Sequence, residues 1–170
     1  MRHNYEFEYK RILLKPLEKE DIEELRVLRN SERQWFLTQQ EITKEGQEMW
    51  YQSYLNREND IMFKITKKED PEKFIGAIAL YDINWDLGVS EFGRTVVDKA
   101  KVPEKGIGTE ATKAVCQFGF EVLKLKKIVA VALKSNERIM KVYKRAGFYI
   151  IGEHDDVYDI EMTPDSIYLD

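Results

Sequence analysis

The sequence predicts an α/β fold with a mixed, mostly antiparallel sheet and flanking helices, and three observations carry this prediction. Short connections join the apolar and polar runs between residues 61 and 98, which is typical of an antiparallel meander. Residues 107–125 place apolar side chains at a helical period, which indicates a long amphipathic helix. Residues 127–134 (KIVAVALK) form an almost uniformly apolar run, as expected for a central strand covered on both faces. A strand, a helix and a buried strand in this order make a parallel βαβ unit.

The chain before residue 61 predicts one strand and two helices. The strand covers residues 11–17 and is closed by Pro16, which cannot donate to a sheet. Residues 19–31 form a helix with acidic residues first and arginines last, an order that suits the helix dipole. Thr43 is the predicted N-cap of the second helix, which continues to Asn56.

The remaining elements follow from local patterns. The meander strands are predicted at residues 61–67, 74–82 and 89–98. In the last of these, regular alternation places Glu91 on the face opposite Arg94 and places Phe92 on the same face as Val96. A further helix at residues 137–146 ends at Gly147, and strands at residues 148–153 and 157–162 complete the fold.

Composition limits the class of protein. The chain has 170 residues, of which 43% are hydrophobic and 34% charged, so we expect one globular domain over residues 1–170. One cysteine and two histidines exclude a disulfide and a zinc site built from cysteines, and we expect no metal. The net charge of −4 argues against a nucleic-acid partner. No apolar run approaches the ~20 residues that span a bilayer, so we expect no membrane partner. With one cysteine and no pattern of a secretory signal in the first residues, we expect a cytoplasmic protein.

The charge is unevenly distributed along the chain. Residues 99–145 hold twelve Lys and Arg against four Asp and Glu, a balance of +8. Residues 146–170 hold seven acids and no Lys or Arg, and residues 1–98 hold 15 basic against 20 acidic groups. Solvated helix faces explain such a pattern, and so does an anion site within the basic segment. Composition alone does not choose between them.

The first informative motif is the segment PEKGIGT at residues 103–109, which joins a strand to the long helix. Backbone N–H groups at a helix start, approached closely because of Gly106 and Gly108, form a cradle for an anion. The alternative is a loop whose glycines only relieve a tight bend. The segment lacks the lysine–serine pair of a P-loop and the third glycine of a dinucleotide fingerprint.

The second motif covers residues 135–148 (SNERIMKVYKRAGF). Asn136 follows the buried strand and caps the next helix, and Tyr143 lies two turns later on nearly the same face. The alternative is a capping asparagine and a core tyrosine without a further role.

The two motifs occur in order, one βαβ unit apart, and together they resemble those of the GNAT superfamily of acetyl-CoA-dependent N-acetyltransferases. The family pattern Gln/Arg-x-x-Gly-x-Gly/Ala is similar to residues 103–108, and its Asn…Tyr…Gly-Phe pattern is similar to residues 136–148. The chain is most similar to the branch of ribosomal-protein, spermidine and amino-sugar acetyltransferases. It departs from the family where Pro103 replaces Gln/Arg and where Ile139 replaces Ala/Ser.

The resemblance implies acetyl-CoA as co-substrate, with the pyrophosphate on the backbone amides of residues 105–109. The pantetheine arm would pair with residues 95–97 and contact Asn136. The residues that the resemblance assigns to the cofactor are Thr95, Val96, Val97, Lys105, Gly106, Ile107, Gly108, Thr109 and Asn136.

The resemblance also implies direct attack of a primary amine on the thioester, without a covalent enzyme intermediate. Tyr143 would protonate the departing thiolate, and a backbone N–H near Val97 would stabilise the oxyanion. Glu91 is either the general base or an anchor for the positive charge of the substrate. Trp35 and Phe36 lie in the loop that lines the acceptor site in the family and are the predicted substrate contacts.

The acceptor predicted from this resemblance is an amino-sugar nucleotide. A polyamine or a protein N-terminus is the second interpretation, since the acidic segments could favour a cationic acceptor. A non-catalytic acetyl-CoA-binding module is the third. We expect a small-molecule or peptide amine as partner, and a homodimer is retained as a candidate assembly.

Overall fold

The computed structural model describes residues 1–167, in which eight strands form one sheet with helices on both faces. The strands are β1 (Phe7–Tyr9), β2 (Ile12–Pro16), β3 (Ile61–Lys67), β4 (Gly76–Asn84), β5 (Val89–Val97), β6 (Lys127–Leu133), β7 (Tyr149–His154) and β8 (Val157–Met162). The helices are α1 (Ile22–Ser31), α2 (Lys44–Leu55), α3 (Ile107–Glu121), α4 (Glu137–Ala146) and the short α5 (Pro164–Ile167). Across the described residues, no helix combines the length and the apolar character needed to cross a membrane.

The strand order β1-β2-β3-β4-β5-β6-β8-β7 confirms the mixed sheet. All neighbouring pairs are antiparallel except β5 and β6, which are parallel and are connected through α3. The β5–β6 pairing is short, since it joins Val89, Ser90 and Glu91 to residues 127–129 and stops there. Beyond Glu91 the two strands separate, and a gap opens in the middle of the sheet.

Two apolar cores hold the layers together, one on each face of the sheet. On one face, α3 packs its apolar stripe, including Phe118, against alternate residues of β3 and β4 such as Phe63 and Leu80. On the other face, α1 and α2 pack against the intervening residues of the same strands, among them Met62 and Ala79. The alternation follows from the two-residue period of a strand.

Most of the predicted elements are present, with small changes at their ends. Thr43 caps α2 as predicted, since its hydroxyl accepts a hydrogen bond from the Gly46 N–H at 3.0 Å. Gly147 follows α4 with a φ of 121°, which only glycine adopts readily. The predicted first helix begins with a 3-10 turn over Lys19–Asp21. Strand β1 was not predicted, because its three residues carry too little pattern.

The prediction that the apolar run at residues 127–134 is covered on both faces is wrong. Val131 of β6 is 40% exposed, whereas its neighbours Ala130 and Ala132 are buried. Val131 lies instead in the wall of a cleft between β5 and β6. An apolar wall that faces a cleft gives the same sequence pattern as a buried strand, so the sequence could not distinguish them.

Strand β5 contains a bulge that the predicted alternation missed. Ala77 of β4 pairs with Val96 of β5, and Ala79 pairs with Gly93. Over this interval β4 advances by two residues and β5 by three. Arg94, inside this interval, has a φ of 52°. The extra residue reverses the alternation, so Phe92 and Val96, predicted to share a face, join opposite cores.

Candidate active site

The gap between β5 and β6 forms a cleft of about 510 Å³. One wall is the second half of β5, and the other is the end of β6 with the start of α4. Residues 35–38, which follow α1, line it on the side of the second core. Bulges commonly re-aim a strand next to a functional site, and the one at Arg94 lies at the point where β5 leaves β6.

Thr95, Val96 and Val97, which the sequence analysis assigned to the cofactor, line the cleft. They belong to the part of β5 that β6 does not pair with, so one backbone edge of this strand faces the cleft. The Thr95 hydroxyl is buried and has no hydrogen-bond partner among residues 1–167. The free backbone edge of β5 fits an extended ligand that carries amide groups, such as the pantetheine arm of coenzyme A.

The glycine segment lies at the start of α3. Gly106 is the N-cap with a φ of 91° and provides no side-chain cap, so the first N–H groups of α3 remain available. Gly108 lines the cleft. Lys105 is exposed and Ile107 is fully buried, so Ile107 can contact a ligand only through its backbone. Lys105, Gly106, Ile107 and Thr109 are not among the cleft-lining residues within 1–167.

Two contacts that the sequence analysis missed hold this segment in place. Arg11 donates from Nη2 to the Lys105 carbonyl at 2.9 Å and forms an ion pair with Glu110 at 2.8 Å. Lys67 forms an ion pair with Glu104 on the other side. These partners are 37 to 99 residues apart, and no local signal in the sequence connects them.

Asn136 and Tyr143 both line the cleft. Asn136 Oδ1 accepts a hydrogen bond from the Ile139 N–H at 3.2 Å and caps α4. Tyr143 is 7% exposed and packs edge-on against Phe92, with 5.3 Å between ring centroids. Burial raises the pKa of the Tyr143 phenol well above its usual range, and the nearby Thr95 hydroxyl offsets this only in part. The phenol therefore stays protonated at neutral pH.

Glu91 approaches the cleft through a neighbour. Within residues 1–167, Glu91 is not among the residues that line the cleft. It lies against Tyr81, and Tyr81 does line the cleft. Burial and the Glu91 carboxylate raise the pKa of Tyr81 to about 12. Arg94 lies over the same ring, 4.2 Å from its centroid, and donates to Asp60 at 2.8 Å. The prediction that Glu91 and Arg94 occupy opposite faces is thus wrong, because the bulge brings both side chains to Tyr81.

Trp35 and Phe36 line the cleft on the side of the second core, where the acceptor was predicted. Trp35 is 45% exposed, and the Phe36 ring supports the guanidinium of Arg29, whose Cζ lies 3.1 Å from the ring centroid. The charged residues of the lining are Arg29, Arg94, Lys99 and Arg138, with Glu32 and Glu137. Only Lys99, Glu137 and Arg138 come from the basic segment that the sequence analysis identified. No group of three or more His, Cys, Asp or Glu side chains within residues 1–167 is arranged to hold a metal ion.

The profile of the family described as "Acetyltransferase (GNAT) domain" matches residues 11–149. The chain belongs to the GNAT family. It is 30% identical over 145 residues to the spermidine N(1)-acetyltransferase of Escherichia coli (strain K12), an alignment that covers 84% of this chain and 75% of that protein. The match confirms the resemblance seen in the two motifs and shows that this GNAT chain is an N-acetyltransferase.

Solved structures confirm the GNAT fold. A structure described as apo FdhC, a nucleotide-linked sugar GNAT, superposes with a TM-score of 0.84 at 21% identity and covers 97% of this chain and 93% of that one. The spermidine N-acetyltransferase from Vibrio cholerae in complex with CoA and spermine superposes with a TM-score of 0.78 at 19% identity and covers 94% and 99%. At identities of 21% and 19%, the likeness to these two structures shows the fold alone.

Proposed function

We propose that this GNAT chain transfers an acetyl group from acetyl-CoA to the primary amine of an amino-sugar nucleotide. The observation that carries the proposal is the cleft between β5 and β6, which places the protonated Tyr143 between an unpaired strand edge and the Trp35–Phe36 loop. The arrangement supports two ligands that approach the phenol from opposite sides of the sheet.

The residues of this chain suit each part of the cofactor. The N–H groups at the start of α3 would hold the pyrophosphate, because the N-terminus of a helix attracts anions. The β5 edge at residues 95–97 would pair with the amides of the pantetheine arm. Asn136 would contribute its amide N–H, since its Oδ1 caps α4. When bound, acetyl-CoA supplies the activated thioester.

The acid and the base of the proposed reaction differ in their access to the cleft. Tyr143 would donate its proton to the thiolate that leaves when the C–S bond breaks, after the amine has attacked the carbonyl directly and formed the C–N bond, and the phenol would regain a proton from solvent. Its raised pKa keeps the phenol in the protonated form before the reaction. The N–H of Val97 is proposed to stabilise the oxyanion. Glu91 is proposed as the base that takes the proton of the ammonium through water, because Tyr81 separates it from the cleft.

The charges of the lining favour an anionic acceptor. The lining of the whole cleft, cofactor wall included, holds four cationic side chains and two carboxylates. Beside Trp35 and Phe36, Arg29 has no ion-pair partner among residues 1–167, which supports an anionic acceptor over a polyamine with several positive charges. The 30% identity to a protein named spermidine N(1)-acetyltransferase makes a polyamine the second candidate. A protein N-terminus and a non-catalytic acetyl-CoA-binding role remain the further alternatives, and a homodimer remains a prediction.

An acceptor panel tests the proposal. Thiol release from acetyl-CoA is measured with nucleotide-linked amino sugars, spermidine and peptides with free N-termini, and the melting temperature is measured with acetyl-CoA alone. We expect acetyl-CoA to raise the melting temperature and the nucleotide-linked amine to give the highest kcat/KM. Activity confined to spermidine or to peptides overturns the acceptor, and the absence of any thermal shift overturns the cofactor.

A further inference from the structure

The guanidinium of Arg29 lies in the cleft wall without a counter-charge from any residue that the structure describes. Arg29 is in the last turn of α1, is half-buried and packs on the Phe36 ring. Among residues 1–167 no carboxylate lies within ion-pair distance of it. Other arginines of the described chain either form an ion pair, as Arg11 does with Glu110 and Arg26 with Glu23, each at 2.8 Å, or are exposed, as Arg33 and Arg138 are.

The neighbours of Arg29 add positive charge rather than cancel it. Burial and the charge of Arg94 lower its pKa to about 10. Arg94 is only partly neutralised, because Asp60 also binds Arg57, each arginine at 2.8 Å. Glu32 lines the same cleft, but its charge acts on Lys99. A half-buried cation in this position is therefore stabilised when an anion enters the cleft.

The chemistry of the guanidinium narrows the class of anion. Its planar donors match the oxygens of a phosphate or a carboxylate in pairs, and the aromatic ring behind it fixes the plane. Of the acceptors considered for this chain, only a nucleotide-linked amino sugar carries both a phosphate and a primary amine. A polyamine carries no anion and would be repelled from the same place.

We propose that Arg29, supported by Phe36, binds the phosphate of the acceptor and selects phosphate-bearing amines over polyamines. This inference rests on the proposed acetyl transfer, and it adds a residue that determines specificity. Arg29 lies on the acceptor side with Trp35, so its effect concerns the acceptor and not acetyl-CoA.

Binding of uridine 5′-diphosphate is the first test, measured by titration calorimetry with CoA at saturation so that the cofactor side is filled. We expect Arg29→Gln to weaken binding at least about tenfold, as for loss of a charge-assisted hydrogen bond. Arg29→Lys should retain part of the affinity. Arg33→Gln is the matched control, since Arg33 is exposed and outside the cleft lining of the described residues.

The second arm compares the binding of glucosamine 1-phosphate with that of free glucosamine. It tests whether a phosphate on the sugar is enough for binding when no nucleoside is present. Binding of the sugar phosphate without the nucleotide supports the phosphate contact and excludes a nucleoside requirement. Equal affinity of wild type and Arg29→Gln for both phosphate ligands overturns the proposal, and so does a wild type that binds neither.

Steady-state kinetics form the third arm. In Arg29→Gln the KM for the phosphate-bearing acceptor should rise at least about tenfold while the KM for acetyl-CoA stays unchanged. Spermidine as the preferred acceptor of the wild type contradicts the selection. If no acceptor is acetylated, the proposed function fails, and the calorimetric arm still decides whether Arg29 binds phosphate.

Discussion

The side chains around Tyr143 determine the pKa of its phenol. Phe92 and Phe148 pack on its ring, and only 7% of the residue is exposed, which raises the pKa of the phenol. The raised pKa keeps the phenol in its donor form at every pH near neutrality. The sequence supplied the tyrosine at its position on the helix, but its aromatic neighbours are Phe92, in a strand 51 residues earlier in the chain, and Phe148, just before β7.

Replacement of Tyr143 by Phe tests its proposed role. We expect kcat to fall by about 10²–10⁴, the usual contribution of general acid catalysis, with little change in the KM for acetyl-CoA. In the wild type, any loss of kcat caused by ionisation of Tyr143 should occur above pH 10, because its pKa is raised. Tyr149→Phe is the control, since Tyr149 is exposed and bonds to Glu161 outside the cleft. An unchanged kcat in Tyr143→Phe would contradict the assignment.

The sequence predicted some residues of the candidate site and missed others. Asn136, Tyr143, Trp35 and Phe36 were predicted and all line the cleft. Arg29 was assigned only to a helix end, since nothing in its local pattern separates a solvated arginine from one that packs on an aromatic ring inside a cleft.

At the scale of elements, the cleft is a consequence of how β5 ends its pairing. The sequence predicted β5, α3 and β6 and their parallel arrangement, because each has its own periodicity. The bulge around Arg94 was not predictable in the same way, since a bulge changes the partner register and leaves the composition of the strand unchanged. The one extra residue in this bulge places Glu91, Arg94 and Val96 on the same face of the sheet.

Asn136 allows a direct separation of a structural role from a binding role. Asn136→Ala removes the cap of α4, and we expect it to lower the free energy of unfolding by about 1 kcal/mol. Asn136→Asp keeps an oxygen that can accept from the Ile139 N–H, so stability should remain near that of the wild type. Loss of the amide donor should still raise the KM for acetyl-CoA in Asn136→Asp.

Urea unfolding and steady-state kinetics on both variants give the two readouts. A normal KM in Asn136→Asp, together with a destabilised Asn136→Ala, would show that Asn136 is a cap without a role in cofactor binding.

For the whole molecule, the two histidines affect stability in opposite directions with pH. His3 is half-buried between β3 residues, with Nε2 2.8 Å from the Met62 carbonyl and its ring against Phe63. Burial lowers its pKa below 6.5, so its contribution to stability is present above pH 6.5 and is lost as pH falls. Asp159 raises the pKa of the exposed His154, so that contribution is present below pH 6.5 and is lost as pH rises through the raised pKa.

Urea unfolding between pH 7.5 and 5 checks both signs. We expect His3→Gln to lose less stability than the wild type over this range, because Gln does not titrate and keeps a donor for Met62. His154→Gln serves as the opposite control and should lose more stability than the wild type. Parallel curves for wild type and His3→Gln would show that the ring is not desolvated in the folded protein.

The sequence by itself determined the order and type of most elements, the glycine segment, the cap at Asn136 and the family of the chain. These depend on residues close together in sequence, where periodicity, propensity and backbone freedom act directly. The tertiary structure alone decided the bulge in β5, the exposed wall of β6, the contact from Arg11 to Lys105 and the packing of Arg29 on Phe36 in the cleft. Each of these depends on partners that are distant in the chain, and the chain brings them together only through the sheet order and the packing of its two cores.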